Sequence, residues 1–437
     1  MSAEDPVIKF RDKYFRLAYS AAEINAGVQT EEFRRLIAHA QKNNAWWRNR
    51  IQNEFGSFRT QADLMASLTE IPVTTRSQIQ TWGEQPWILP KNSKPGHFVR
   101  YRTSGSTGQP VVGLRFAPLN HTVENAITLM EWKWFQRKEN FKILDLRVFG
   151  KFVDDAGMSP MFELAGYTGR RWERSTSDYS VSELFEYIEQ IRPDYIYSNG
   201  ITLRQLAQYG FEQDRTIPVS QFLSVADPID LSTRELARDT FGAMIVDRYS
   251  SKEVGMIALQ CPAADHLHVI ETTKIVEILD ESGQPVQADE TGRVVITDLH
   301  SVAAPLIRYE LGDFAQWETA PCPVGINWRA IKRVKGRIRD TVKDPNGEQR
   351  IVSFAGVVWL TWRKIRDQHV VRFDDRIVMF IELVEPLSPA ETQTLTDSLH
   401  TIFYTDAPVM ILRRNDLSRI PYIKRKDFTK RETNFPA

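Results

Sequence analysis

Residues 180–198 read SVSELFEYIEQIRPDYIYS, a helical stretch that runs directly into a short β-rich run. The same rhythm continues on both sides. ILDLRVFG (143–150), FLSVA (222–226) and MIVDRYS (244–250) are further β-rich runs, and DLSTRELARDTFG (230–242) is a further helical stretch. Short strands alternating with helices are the signature of a parallel sheet with crossover helices, so an α/β fold is expected.

Outward from this centre the pattern changes twice. The first hundred residues read as helical, with TEEFRRLIAHAQKNNAWWRNRI (30–51) spacing its apolar residues by three and four after a Thr cap. From 269 onward, VIETTKIVEILDESGQPVQADETGRVVITDL places strands around ESGQP and DETG turns, which predicts a small β-subdomain. GRIRDTVKDPNGEQ (336–349) is polar and turn-rich, and a βα-type tail follows it, with strands near RIVMFIELVE (376–385) and a helix near SPAETQTLTDSLHTIF (388–403). The expected organisation is a large body over 1–336 and a small, mobile α+β lid over 337–437, joined near Asp340.

Bulk properties restrict the function. The 437 residues exceed the size at which one core keeps growing. The 56 basic residues balance 56 acidic ones, so neither a nucleic-acid nor a membrane-surface partner is expected. Hydrophobic residues make up 42% and aromatic residues 11%, enough for a globular core. The N-terminal MSAEDPVIKFRDKYF lacks the basic start and apolar run of a signal peptide, and no window approaches 18 uninterrupted apolar residues. The two cysteines, Cys261 and Cys322, are too few for a disulfide framework, so a cytoplasmic protein is expected.

Four stretches carry chemistry. RTSGSTGQP (102–110) combines backbone freedom at Gly105 and Gly108 with the hydroxyls of Thr103, Ser104, Ser106 and Thr107, which suits phosphate oxygens. It is not a P-loop, because Gln109 and Pro110 follow the second glycine where that motif has its lysine. VDRYSSKEVG (246–255) offers an aromatic ring for a planar base and a glutamate for Mg²⁺. In PLIRYELGD (305–313), Asp313 follows a glycine turn and suits two ribose hydroxyls. KGRIRD (335–340) adds Arg337, able to reach a ribose or phosphate, and Asp340 as a hinge. Taken singly, each also reads as an ordinary turn or corner.

In this order the four stretches resemble the motifs of the adenylate-forming ligases, the superfamily of acyl-CoA synthetases, nonribosomal adenylation domains and luciferases. PLIRYELGD, the Gln-Cys after the glutamate motif and the modest length resemble its phenylacetate-CoA ligase and CapK-like branch. The resemblance implies activation of a carboxylic acid by ATP and Mg²⁺ as an acyl-adenylate, then transfer to a nucleophile, commonly the thiol of CoA. It implies that Thr103, Ser104, Gly105, Ser106, Thr107 and Gly108 cradle phosphates, that Tyr249 packs near adenine with Ser250 alongside, and that Glu253 binds Mg²⁺. Asp313 would hold the ribose with Arg337 in support, and SVADP would place Ala226, Asp227 and Pro228 beside the base. Lys252 stands where a hydroxyl commonly precedes the glutamate, facing either phosphate or solvent. Ser198, Asn199 and Gly200 are acyl-site candidates. In RIPYIKRKDFTKR (419–431) the usual Gly-Lys pair is absent, and Lys426, then Lys424, are the candidates for the adenylation lysine.

Two alternatives stay open beside CoA as acceptor. One is an amine or the thiol of a separate carrier protein; the other is a nucleotide-binding scaffold without catalysis. VKDPNGEQRIVSFAGVVW (342–359) lacks the glycine-rich pattern of CoA-binding members. A monomer or homodimer acting on a small organic acid, aryl or otherwise, is expected. Some relatives on the branch carry a Cys/His cluster, and Cys261, His266, His268 and Cys322 invite comparison. A tetrahedral site needs four converging ligands, and CPVG supplies one cysteine where a Cys-x-Cys pair would be stronger, so structural zinc is not expected.

Overall fold

The computed structural model describes residues 5–54, 68, 71–89, 94, 96–103, 111–147, 152–176, 178–225, 229, 231–337, 341–343, 345, 349–351, 364–373, 375–383, 385–413 and 428–430. They fall into two compact units: 1–141, 155–171 and 246–335 form one, and 142–154, 172–245 and 336–437 the other.

The first unit opens with helices α1 (Pro6–Ala18), α2 (Ala22–Asn43) and α3 (Ala45–Glu54), then the short α4 (Arg76–Trp82). Asp5 starts α1 by accepting the Val7 N–H on its side chain, with Pro6 at the first turn, where a missing N–H does no harm. Strands β1 (Phe98–Arg102) and β2 (Val112–Phe116) pair antiparallel from Phe98↔Phe116 to Arg102↔Val112. Helix α5 (Ala117–Trp134) follows directly, and α6 (Pro160–Leu164) is a single short turn of helix. Phe33, Leu36, Ile37 and Ala40 pack with Trp47, Ile71 and Ile307, while Tyr14 and Leu17 meet Val123, Ile127, Met130 and Trp328. Complete burial of each such side chain favours folding by about 1.5–3 kcal/mol.

The sheet of this unit has seven strands: β9 (Arg248–Ser251), β10 (Gly255–Gln260), β11 (Leu267–Val269), β12 (Lys274–Leu279), β13 (Gly292–Asp298), β14 (Tyr309–Trp317) and β15 (Ala330–Arg337). Their spatial order is β12-β13-β14-β15-β11-β10-β9. The strands expected on either side of the ESGQP and DETG turns are β12 and β13, antiparallel with Lys274 opposite Asp298 and Leu279 opposite Arg293.

The second unit carries most of a six-stranded sheet, β4 (Val153–Ala156), β5 (Thr168–Ser175), β3 (Asn140–Arg147), β6 (Tyr195–Asn199), β7 (Gln221–Val225) and β8 (Met244–Val246), in that spatial order. β3 with β6, and β6 with β7, are parallel, as the alternating pattern predicts. The crossovers are α7 (Val181–Ile191), α8 (Gly200–Glu212) and α9 (Leu231–Phe241). Ser180 and Glu183 form a capping box at the start of α7, whose Leu184, Phe185 and Ile188 join Ile196, Leu206 and Phe222 in the core. The same unit holds a four-stranded sheet, β20 (Val409–Arg413), β19 (Ile377–Leu383), β18 (Ile365–Arg372) and β21 (Phe428–Lys430), with helix α10 (Pro389–Phe403) supplying Leu395, Leu399 and Phe403 to its core. Two strands, β16 (Thr341–Lys343) and β17 (Gln349–Ile351), pair with each other.

Two expectations change. Thr30 caps no helix: α2 begins eight residues earlier, at Ala22, and the Thr30 hydroxyl donates to the Ala26 carbonyl at 2.8 Å inside it. MIVDRYS is not a single strand but two, β8 and β9, belonging to different sheets. Asp247 breaks the run: its N–H goes to the Gln260 side-chain oxygen at 2.8 Å, and its carboxylate accepts the Arg248 N–H at 2.8 Å. Among the described residues no helix is long and apolar enough to cross a membrane.

Candidate nucleotide site

The site is built on the turn between β9 and β10. Ser251 Oγ accepts the N–H groups of Glu253 and Val254, both at 3.2 Å, which curls the chain and turns the Glu253 carboxylate inward until its side chain is 8% exposed. Gly255 closes the turn at φ +73°, and a Cβ there would lie 2.1 Å from Glu124 Oε1. That carboxylate accepts the Met256 N–H at 3.2 Å, so both backbone and neighbour demand glycine.

Two groups reach Glu253, and Thr103 joins them through one of the two. Tyr309, fully buried in β14, donates its hydroxyl to Oε1 at 3.4 Å. Arg76 donates from Nη1 to the same oxygen at 3.2 Å and from Nη2 to Thr103 Oγ1 at 2.7 Å. Thr103 in turn accepts the Val111 N–H on Oγ1 at 2.9 Å and donates its own N–H to the Val111 carbonyl at 3.0 Å. Thr103 and Val111 are therefore tied together, and Arg76 links Thr103 to the carboxylate. Burial first, and the Glu253 charge second, push the Tyr309 and Tyr101 hydroxyls well above the ordinary phenol value, so both stay protonated donors.

Arg76 reaches this point through β14. Thr74 forms a parallel bridge with Tyr309, donating its N–H to the Arg308 carbonyl at 2.7 Å and accepting the Glu310 N–H at 3.0 Å. A capping box between Thr75 and Gln78 then starts α4 with Arg76 as its first residue. Sequence reasoning missed Arg76 and Tyr309 as site residues. No spacing in the chain connects position 76 to position 253; only the bridge at Thr74 does.

Tyr249 and Asp313, both 8% exposed, meet across the sheet, the phenol donating to Asp313 Oδ2 at 2.8 Å. Gly312, at φ +83°, makes the turn that delivers the aspartate. Ser250 is half-buried and Lys252 exposed; the Lys252 carbonyl accepts from Arg115, whose guanidinium lies 5.0 Å over the Tyr101 ring. Thr103, Tyr249, Ser250, Lys252, Glu253 and Asp313 thus share one unit. Ser198, Asn199 and Gly200 belong to the other unit, at the C-terminal end of β6. There Ser198 donates to the Leu146 carbonyl at 3.0 Å, and Asn199 caps α8 by accepting the Thr202 N–H at 2.9 Å. Their side chains hold the strand-to-helix corner, and Gly200 is the first residue of α8. Arg337 ends β15, while Ser104, Gly105, Ser106, Thr107, Gly108, Ala226, Asp227, Pro228, Asp340, Lys424 and Lys426 lie outside the described residues.

A second cluster lies at the far end of β10. Cys261, His266, His268 and Cys322 have donor atoms all within 4.8 Å of one another, although the sequence supplies neither a Cys-x-Cys pair nor a common element. The sulfurs are 3.7 Å apart, and the two imidazole Nε2 atoms 3.1 Å apart. Burial lowers the pKa of both histidines, that of His268 to about 4, so both rings are neutral near pH 7.

No family model matches the sequence, and no curated protein does. Solved structures do match the fold. A 2-hydroxyisobutyryl-CoA ligase in its postadenylation state superposes with a TM-score of 0.73 at 16% identity, over 96% of this chain and 91% of that one. An anthranilate-CoA ligase in complex with anthranoyl-AMP gives 0.55 at 16% identity, over 77% and 66%. An amide bond synthetase from Marinactinospora thermotolerans gives 0.50 at 14% identity, over 88% and 90%. The chain has the fold of the adenylate-forming enzymes.

Proposed function

We propose that this protein is an ATP-dependent ligase that activates a small carboxylic acid as its acyl-adenylate, releases pyrophosphate and passes the acyl group to a thiol, with CoA as the first candidate. The observation that carries the reading is the pairing of Arg76 and Tyr309 with the buried Glu253 carboxylate, with Thr103 joined through Arg76, in the same sheet as the Tyr249–Asp313 contact. Thr103, Glu253 and Asp313, assigned to the phosphates, the metal and the ribose, belong to one unit of a chain with an adenylate-forming fold, which supports the reading.

Attack of a carboxylate on an α-phosphate brings negative charges together, so the protein has to screen and align rather than supply a nucleophile. The Glu253 carboxylate is a hard oxygen donor and fits Mg²⁺, which when bound would neutralise phosphate charge, and Thr103 is assigned to the phosphates. Arg76, linking both residues, presents a guanidinium to the phosphate side of the site. Tyr249 donates its hydroxyl to Asp313, whose carboxylate is assigned to the ribose hydroxyls. The serine and glycine residues from Ser104 to Gly108 are assigned to the phosphates. Ala226, Asp227, Pro228 and Arg337 are assigned to the nucleoside, and Ser198, Asn199 and Gly200 to the wall of the acid pocket. Lys426, with Lys424 second, is assigned to the adenylation step, and residues 337–437 to a lid that turns about Asp340 between half-reactions.

The test is pyrophosphate release from Mg-ATP over a panel of aryl, heteroaryl, amino and short aliphatic acids, with hydroxylamine present to trap acyl-adenylates as hydroxamates. Acid-dependent release with hydroxamate formation is expected. CoA, a carrier-protein thiol and simple amines then compete as acceptors for the trapped intermediate. ATP binding without release for any acid would replace the ligase by a non-catalytic nucleotide-binding role.

A further inference from the structure

We propose that Cys261, His266, His268 and Cys322 bind one structural zinc ion, a site distinct from the nucleotide site and independent of the ligase reading. The missing Cys-x-Cys pair argues against zinc in the sequence; the geometry supplies the fourth ligand from a second histidine instead.

Three elements bring the ligands together. Cys261 immediately follows β10, and its N–H donates to the His266 carbonyl at 2.8 Å, which closes a tight loop between β10 and β11. His268 lies within β11, opposite Leu259 of β10. Cys322 comes from the segment between β14 and β15, where a turn from its carbonyl to the Gly325 N–H at 3.1 Å fixes its backbone. Zn–S bonds of about 2.3 Å and Zn–N bonds of about 2.0–2.1 Å imply tetrahedral edges of about 3.8 Å between sulfurs and about 3.3 Å between nitrogens. The observed separations are 3.7 Å and 3.1 Å. A disulfide would need the sulfurs about 2.05 Å apart, so the pair stands at metal-sharing distance rather than bonding distance.

Proton bookkeeping points the same way. His268 Nδ1 lies 2.9 Å from the Trp328 carbonyl, which can only accept, so that nitrogen carries the proton and Nε2 presents a lone pair. His266 Nδ1 faces Glu318 Oε2 at 4.0 Å, an arrangement that also favours a proton on Nδ1. Both Nε2 lone pairs then point at each other across 3.1 Å, which is repulsive unless a cation lies between them. The carbonyl of Trp328 and the carboxylate of Glu318 are the outer partners that orient imidazoles toward a metal. The Ala263 N–H, 3.5 Å from the Cys261 sulfur, stabilises a thiolate. Two thiolates and two neutral imidazoles leave Zn²⁺ with no net charge. That suits a site in which Cys261, His266 and His268 are 0%, 5% and 1% exposed. With four protein ligands no position is left for a reacting water, so the role is structural. The ion would anchor the far end of β10, the strand that begins two residues after Glu253.

The experiment is elemental analysis of the full chain, purified without chelator, combined with mercurial titration of its thiols in the presence of a zinc indicator. One zinc per chain, released in step with modification of two thiols, is expected. Replacement by Co²⁺ should give the intense visible bands of a tetrahedral site and a thiolate charge-transfer band. Cys322→Ser, altering the half-buried loop ligand, should retain a folded protein that holds zinc far more weakly and loses the charge-transfer intensity. Folded, monodisperse protein without zinc, whose two thiols titrate freely or are joined as a disulfide, would overturn the site. So would a Co²⁺ spectrum unchanged by Cys322→Ser. None of these readouts requires catalysis, so failure of the ligase assay leaves the result intact.

Discussion

At the scale of single residues, Arg76 and Glu253 make opposite contributions to one charge balance. The guanidinium compensates a carboxylate that is 8% exposed and would otherwise be buried uncompensated. Arg76→Ala removes the link to both Glu253 and Thr103. Loss of such a charge-assisted pair should lower kcat/KM for ATP in pyrophosphate release by roughly ten- to a hundredfold. Arg76→Lys keeps the charge but not the two-pronged reach, and an intermediate loss is expected. Unchanged kinetics in both variants would remove Arg76 from the site. Glu253→Gln preserves shape and size while giving up the anionic oxygen, so the Mg²⁺ concentration for half-maximal rate should rise. A variant with wild-type Mg²⁺ dependence would mean that another group holds the ion.

At the scale of elements, the segment from Ile71 to Thr75 is what carries Arg76 to the site, and Arg308 secures it. Arg308 stands at φ +46°, a left-handed conformation uncommon for an arginine, and is 3% exposed. It pairs with Glu277 at 2.8 Å and donates to the Ile71 carbonyl, while its own carbonyl accepts from Thr74. Arg308→Ala strands Glu277, whose pKa burial already raises, and should destabilise the first unit by about 3–5 kcal/mol. Urea denaturation checks this. A surviving folded fraction should also show weakened ATP use, because the Thr74 bridge has lost its anchor. This link shows where the sequence is legible. Strand and helix patterning reveals β3, β6, β7, α7 and α9, because the helices bury an apolar stripe and the strands between them are short, largely buried apolar runs. The turn chemistry of SSKEVG and ELGD marks Glu253 and Asp313, because glycine and serine leave a local trace. Arg76 and Tyr309 leave none. Their placement comes from pairing across a long separation, Thr74 with Tyr309. Splitting MIVDRYS at Asp247 belongs to the same class, since the break depends on the distant Gln260 side chain.

At the scale of the whole molecule, the buried His300 contributes to the response to acid. His300 lies among Lys274, Asp298 and Lys13; burial first, then the Lys274 charge, push its pKa down to about 4. Its Nδ1 is buried without a hydrogen-bond partner among the described residues. An unfolded histidine takes up its proton near pH 6.5, whereas the folded one refuses it until about pH 4. Between those values the unfolded chain binds more protons, so stability is complete above about pH 6.5 and falls as pH decreases toward 4. The shift corresponds to a ceiling of about 3 kcal/mol from this one ring. His300→Asn cannot take up a proton, and its acid sensitivity should be smaller by that share. Urea midpoints of wild type and variant, compared at neutral pH and again near the lower end of the window, measure the difference directly. The variant is expected to start less stable through lost packing against Phe10, yet to lose less on acidification. Parallel losses in the two proteins would mean that His300 is already protonated in the fold, or that the ring is hydrated.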